Sequence, residues 1–220
     1  MIKAIIFDLD GTLVLTENFN KNIFKIVCLK YGHKLEDKEY DLFFAGTKTL
    51  EGCYNFLKSV NADTSLAQDM VLDFRAIKRD VLKNKLKENI DLRSNTQMLL
   101  SKLKVNYKIA LATSTIREFM NYICSGFEII NYFDEIVTGD DVIKSKPDPE
   151  IFLATAKKLN IDPKDCVVIE DAENGIIAAK SANMKCIAIE DKSFGERNLS
   201  SADYIIKDLI ELNTTLFDRL

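Results

Sequence analysis

The sequence predicts an α/β protein whose parallel sheet is interrupted, after its first strand, by a purely helical insertion. Three observations predict this. Six short apolar runs are continuous rather than alternating, the pattern of strands covered on both faces. Segments with helical spacing separate them, which favours right-handed crossovers. No strand-like run occurs between about residues 17 and 89. The 220 residues, 47% apolar and 29% charged, suit one large soluble domain or a domain with a modest insert.

The first run, residues 3–7, ends at Asp8. The insertion follows. Phe19, Ile23, Ile26, Val27 and Tyr31 have helical spacing, 40–45 and 50–60 are shorter helix candidates, and Leu66, Met70, Phe74, Ile77, Val81 and Leu82 mark a long helix near 65–88. That helix carries Lys78, Arg79, Lys83, Lys85 and Lys87, which read as a solvated basic face suited to a helix C-terminus. Residues 95–105 form a helix with Met98, Leu99 and Leu103 on one side. A second run, 108–112, ends at Thr113, and Thr113-Ser114-Thr115 can cap a helix from 116. A third, 135–137, leads to Lys144-Ser145-Lys146-Pro147-Asp148-Pro149-Glu150. Here Pro147 extends Lys146, while Asp148 and Pro149 suit the start of a helix over 149–160. The fourth run, 166–169, ends at Glu170-Asp171 before a small-residue helix over 173–182 with Ile176, Ile177 and Ala179. Runs at 185–189 and 203–206 complete the sheet. The division is therefore 1–15 with 90–220 as the sheet domain, and 16–89 as the helical one.

Composition excludes several functions. With 30 basic and 34 acidic residues the net charge is −4, unfavourable for binding nucleic acid by neutralising phosphates. No apolar run approaches a membrane span, and residues 1–7 are too short for a secretory signal. Cys28, Cys53, Cys124, Cys166 and Cys186 are odd in number and lack metal or redox spacing, so they read as reduced thiols of a cytoplasmic protein. His33, the sole histidine, reads as a solvated residue after Gly32, which disfavours a Ser-His-Asp triad.

The chemistry is expected where the strands end, because open parallel sheets bind ligands beyond their carboxyl ends. Asp8, Asp10, Thr113, Glu170 and Asp171 lie there, and Lys146 lies in the loop after the third run. Four carboxylates gathered together repel one another unless a cation is present, and hard oxygen donors point to Mg²⁺. Within Asp8-Leu9-Asp10-Gly11-Thr12 the two acids share parity, Gly11 permits a turn, and the following backbone N–H groups can hold a phosphate oxygen. Each string alone has a plain reading as a turn or cap. Their joint occurrence at successive strand ends does not.

Asp8-Leu9-Asp10-Gly11-Thr12-Leu13, Thr113, Lys146-Pro147 and Glu170-Asp171 together resemble the haloacid dehalogenase superfamily over the whole chain. The helical insertion is similar to its small helical cap subclass, which includes phosphoglycolate phosphatase and β-phosphoglucomutase. The resemblance implies a Rossmann-like parallel sheet core with an inserted all-helical cap domain, Mg²⁺, and an aspartyl-phosphate intermediate. It implies Asp8 as nucleophile, and Asp10 as acid and base with its backbone carbonyl on the metal. Thr113 and the Ser114 backbone would bind the phosphoryl group, with Gly11 beside it, and Lys146 would neutralise charge. Asp171 would hold the metal with Asp8, and Glu170 would be a ligand or its support. The implied protein is a monomeric phosphatase acting on a small phosphorylated metabolite, with no nucleic-acid or membrane partner.

Two other readings compete. A β-phosphoglucomutase-like mutase needs a cationic cap residue for a second phosphate. This chain offers Lys48 after Gly46 rather than arginine, and Asn20 where the mutase resembles histidine, so Lys48 is a substrate-binding candidate and hydrolysis is favoured. A non-catalytic phospho-acceptor module would be about half as long and would lack Asp10 and the insertion.

Overall fold

The computed structural model describes residues 1–44, 47–191 and 197–220. They form two compact units, Met1–Leu15 with Asp91–Leu220, and Thr16–Ile90. The chain enters through β1 (Ala4–Phe7), fully buried, turns over 8–13, and passes through the two-residue β2 (Val14–Leu15).

The second unit is helical: α1 (Glu17–Lys30), α2 (Asp37–Phe43), α3 (Thr49–Ser59), α4 (Ala67–Asn84) and α5 (Leu86–Asn89). Its core is aromatic, with Phe24 stacked on Phe44 and Phe74 at centroid distances of 4.1 and 4.2 Å. Stacks of this kind add about 0.5–1.5 kcal/mol each to the burial of the rings. Ala45 and Gly46, within an expected helix and beside Lys48, fall outside the described residues.

Several expectations for this unit need correction. Lys78 is not on a solvated face, being 5% exposed. Met70, Phe74, Lys78 and Leu82 recur every fourth residue along the buried side of α4, so the lysine is carried inward with its apolar neighbours. Its ammonium donates to Asn20 Oδ1 at 3.0 Å and lies 5.7 Å from the Phe74 ring centre. Ile26 is 56% exposed, since the buried face of α1 runs through Phe24 and Cys28 instead. The long helix stops at Asn84, and α5 continues as a separate turn. His33 is half-buried, edge-on to Phe56.

The chain returns through β3 (Asp91–Leu92), antiparallel to β2. The sequence does not announce this ribbon, because a two-residue pairing leaves no periodic trace. Then come α6 (Thr96–Leu103), β4 (Lys108–Ala112), α7 (Arg117–Gly126), β5 (Glu135–Val137), α8 (Glu150–Leu159), β6 (Cys166–Glu170), α9 (Glu173–Ser181), β7 (Lys185–Ile189), β8 (Tyr204–Ile206) and α10 (Thr214–Phe217). On α6 the buried face is Thr96, Leu99, Leu100 and Leu103, with Met98 turned outward. Ile177 likewise leans out of α9.

The main sheet has the order β5-β4-β1-β6-β7-β8 and is parallel throughout. Isoleucines, valines and alanines of its central strands are inaccessible, each larger side chain contributing about 1.5–3 kcal/mol of burial. The five cysteines are buried free thiols. From β1 the chain builds first toward β5 and later toward β8, so the direction reverses at the carboxyl end of β1, where such sheets open a crevice.

Candidate active site

Asp8 and Thr113 are the first residues beyond β1 and β4, still held in the ladder. The Asp8 N–H donates to the Ile169 carbonyl at 3.0 Å, and that of Thr113 to Val137 at 3.0 Å. Glu170 is the last residue of β6 and Asp171 follows it. Strand register thus brings these groups to one edge before any side chain is chosen.

The side chains then converge. Lys146 Nζ donates to Asp8 Oδ1 at 2.5 Å, to Glu170 Oε1 at 2.8 Å and to the Ala112 carbonyl at 3.2 Å. The Lys146–Pro147 peptide is cis. Glu170 Oε2 accepts the N–H groups of Asp171 and Ala172 at 2.8 and 2.9 Å, so each oxygen of this carboxylate has a partner. Asp171 accepts from Thr12 Oγ1 at 3.0 Å and pairs with Arg197. Asp8, Glu170 and Asp171 are all buried, and an oxygen from each lies within 4.8 Å of the others.

Glycine makes this crowding possible at two points. Gly11 has φ +84°, and a Cβ there would strike the Asp171 carboxylate. A Cβ on Gly175, in the first turn of α9, would strike the Glu170 carboxylate.

The electrostatics follow from three carboxylates facing two cations. Burial pushes the Asp8 carboxyl well above the usual range, and Glu170, Asp171 and Asp10 add to this although Lys146 opposes it. Burial, followed by the Glu170 charge, pushes Asp171 up to about 7. For Lys146 burial acts downward, but Asp8 and Glu170 outweigh it and hold its pKa above that of an ordinary lysine. The cluster is short of positive charge and its donors are hard oxygens, a set that could hold a small divalent cation such as Mg²⁺.

Asp10 goes elsewhere. Its Oδ2 accepts from Thr115 Oγ1 at 2.6 Å, and it is not one of the three grouped carboxylates. The turn after Leu9, closed by the Gly11 N–H on the Val14 carbonyl at 2.7 Å, separates the two acids that an extended chain would align. Thr113 is buried and its Oγ1 accepts the Thr115 N–H at 3.1 Å, while Ser114 is exposed. These hydroxyls do not cap α7 as expected. Asp140 does so, accepting the Arg117 N–H at 2.7 Å. Asp148 accepts the Glu150 N–H at 3.0 Å, as its spacing suggested, with Pro149 as the boundary residue of α8.

Lys48 belongs to the helical unit. It is exposed before α3 and borders an open groove of about 450 Å³ with Leu50, Glu51, Tyr54, Thr64 and Gln68. Thr115, Arg93 and Arg197 were not singled out as site residues. Thr115 was adjacent to a recognised motif, but the arginines stand in unremarkable sequence and arrive only through tertiary folding.

Known proteins resemble this chain in sequence and in fold. The family model described as haloacid dehalogenase-like hydrolase matches residues 5–189. A Thermotoga maritima protein named phosphorylated carbohydrates phosphatase is 33% identical over 186 residues, 84% of each chain. The crystal structure of CbbY from Rhodobacter sphaeroides in complex with phosphate has a TM-score of 0.84 at 27% identity, covering 97% of both chains. That of β-phosphoglucomutase from Clostridium difficile has a TM-score of 0.79 at 27% identity, covering 100% of this chain and 96% of the other. With 185 consecutive residues matched and the acids of its strand ends gathered around one lysine, this chain belongs to the haloacid dehalogenase-like hydrolase family.

Proposed function

We propose that this protein is a Mg²⁺-dependent phosphatase that hydrolyses a small phosphorylated metabolite through an aspartyl-phosphate on Asp8. The observation that carries the reading is the buried contact of Lys146 with both Asp8 and Glu170, beside Asp171. A carboxylate is repelled by a phosphate dianion, so a carboxylate nucleophile needs positive charge fixed next to it. The name of the T. maritima relative supports a phosphomonoester substrate.

In the first step an Asp8 oxygen attacks phosphorus, the bond from phosphorus to the substrate oxygen breaks, and Asp10 gives its proton to that departing oxygen. In the second, water attacks the acyl phosphate, Asp10 takes the proton, and inorganic phosphate leaves with Asp8 restored. Lys146 offsets charge on Asp8 and the phosphoryl oxygens, and Glu170 holds Lys146 in place. Thr113 and the Ser114 backbone bind phosphoryl oxygens, and Gly11 lets backbone approach them. Asp8, Asp171, the Asp10 carbonyl and Glu170, as ligand or support, would hold Mg²⁺, which when bound supplies Lewis-acid stabilisation of the phosphoryl group. The helical unit, including Lys48, sets specificity and excludes water as a cap. We read the protein as a cytoplasmic monomer. No helix among the described residues is long and apolar enough to cross a membrane.

A phosphate-release screen over sugar phosphates, phosphoglycolate and nucleotides tests this. Release is expected with Mg²⁺, lost with chelator, and nearly abolished in Asp8→Asn. Full turnover by that variant would overturn the nucleophile. The likeness to β-phosphoglucomutase keeps one alternative in view, which glucose 6-phosphate formed from β-glucose 1-phosphate without phosphate release would favour.

A further inference from the structure

We propose that Arg93 is a positioning residue for Asp10, acting through the Gly11–Thr12 turn; this rests on Asp10 being the acid of the phosphatase reading. Arg93 is the first residue after β3. Its Nη2 donates to the Gly11 carbonyl at 2.6 Å and its Nε to the Thr12 carbonyl at 3.0 Å. Its backbone N–H donates to the Leu13 carbonyl at 2.9 Å. One residue thus holds three successive carbonyls of the turn that follows Asp10. The same Nη2 meets Asp191 Oδ2 at 2.9 Å, and the two side chains are 11% and 16% exposed.

The turn needs this partner. Its own N–H groups close inward, Gly11 onto Val14, and Leu13 and Val14 onto Leu9. Gly11 and Thr12 are buried, and without Arg93 their carbonyls would lose these side-chain donors, a cost that favours rearrangement. Gly11 at φ +84° gives that rearrangement little steric resistance. Asp10 is one peptide away, and its 2.6 Å bond to Thr115 requires the turn to stay where it is. Arg93 stands outside every motif that carries the chemistry, and its guanidinium fork supplies a geometry that lysine does not reproduce.

The test compares phosphate release from 4-nitrophenyl phosphate and phenyl phosphate by the full chain with Mg²⁺. The first leaving group departs without a proton, and the second needs one from Asp10. The value of kcat/KM reports only the steps up to that departure, so hydrolysis of the aspartyl-phosphate does not enter. Arg93→Ala is expected to lower kcat/KM for phenyl phosphate at least about tenfold more than for 4-nitrophenyl phosphate. Arg93→Lys should show the same selectivity to a smaller degree. A merely structural role would lower both values by one factor together with the thermal midpoint, and that result, or wild-type values, would overturn the proposal. Should Arg93→Ala not fold, Arg93→Lys carries the same comparison. Asp10→Asn separates the two ideas. If it shows no selective loss on phenyl phosphate, Asp10 is not the acid, and that part of the phosphatase reading fails. If it does and the Arg93 variants do not, only the role of Arg93 fails.

Discussion

The two edges of the main sheet use the same residue types to opposite ends. At the amino edge Asp134, Asp165 and Asp203 each precede a strand, and each meets a lysine at or beside the start of another: Lys108, Lys3 and Lys185, with Lys180 of α9 also on Asp203. All three carboxyls are held below the usual range. For Asp165 the Lys3 contact leads, while for Asp134 and Asp203 burial opposes the shift but backbone N–H groups and lysines outweigh it. At the carboxyl edge Asp8 and Asp171 are pushed up. The amino edge has a cation for each acid, and those lysines are exposed. The carboxyl edge is buried and has more acids than cations, an arrangement that disfavours the ionised carboxyls unless a further cation joins them. A lysine's worth thus depends on which edge it serves.

Replacing a lysine at each edge should have very unequal consequences. Lys146→Met should lower kcat/KM by about 100- to 1,000-fold, the scale for removing a fixed positive or donor group from a transition state. Lys108→Met, at the other edge, should leave turnover within about twofold. Steady-state phosphate release on the two variants checks this, and equal effects would mean that the edges are not functionally distinct.

A smaller effect concerns stability. Asp8 ionises at a cost in the fold, so Asp8→Asn should raise the thermal midpoint in chelator by about 2–4 °C, the shift that ~1 kcal/mol makes in a chain of this length. Mg²⁺ should raise the wild-type midpoint and raise that of the variant less. Scanning calorimetry with and without Mg²⁺ reads both. A destabilised variant would show that Asp8 is a structural partner of Lys146 like the acids of the amino edge.

How legible these edges were in sequence differs for a physical reason. All six strands of the main sheet are visible as apolar runs, and 108–112, 135–137 and 185–189 match to the residue; burial on both faces explains this for β1, β4, β6 and β7, whereas the edge strand β8 exposes Tyr204 and Ile205. The convergence of Asp8, Lys146, Glu170 and Asp171 was legible because strand ends in a parallel sheet share an edge. Legibility fails where position on an element does not decide environment. Lys78 reads as solvent-facing by type, but the fourfold spacing of α4 buries it. Arg93 reaches Gly11 from 82 residues away, and Arg197 reaches Asp171, through contacts that no local pattern announces. The amino-edge pairs were written in sequence as Lys3, Lys108, Lys185 and Asp203 at run boundaries, but their partners became visible only with the strand order.

At the amino edge a single carboxylate should make a modest, pH-dependent contribution. Asp203 Oδ2 accepts the Cys186 N–H at 2.8 Å and lies 2.6 Å from Lys180 Nζ, tying the start of β7 to α9. Its folded pKa is below the unfolded value of 3.8, so the folded state binds the proton less readily. The stabilisation is therefore complete above about pH 4 and is lost as pH falls through the ordinary carboxylate value toward the folded one. Asp203→Asn keeps an acceptor for Cys186 but loses the charge. Its thermal midpoint should lie about 2 °C below wild type at pH 7, and the gap should close on acidification below pH 4. It should also shrink in high salt, which screens the half-exposed lysines. A gap that did not narrow at all between pH 7 and pH 3 would mean that packing rather than charge ties these elements together, and the amino edge would no longer be the electrostatic counterpart of the site.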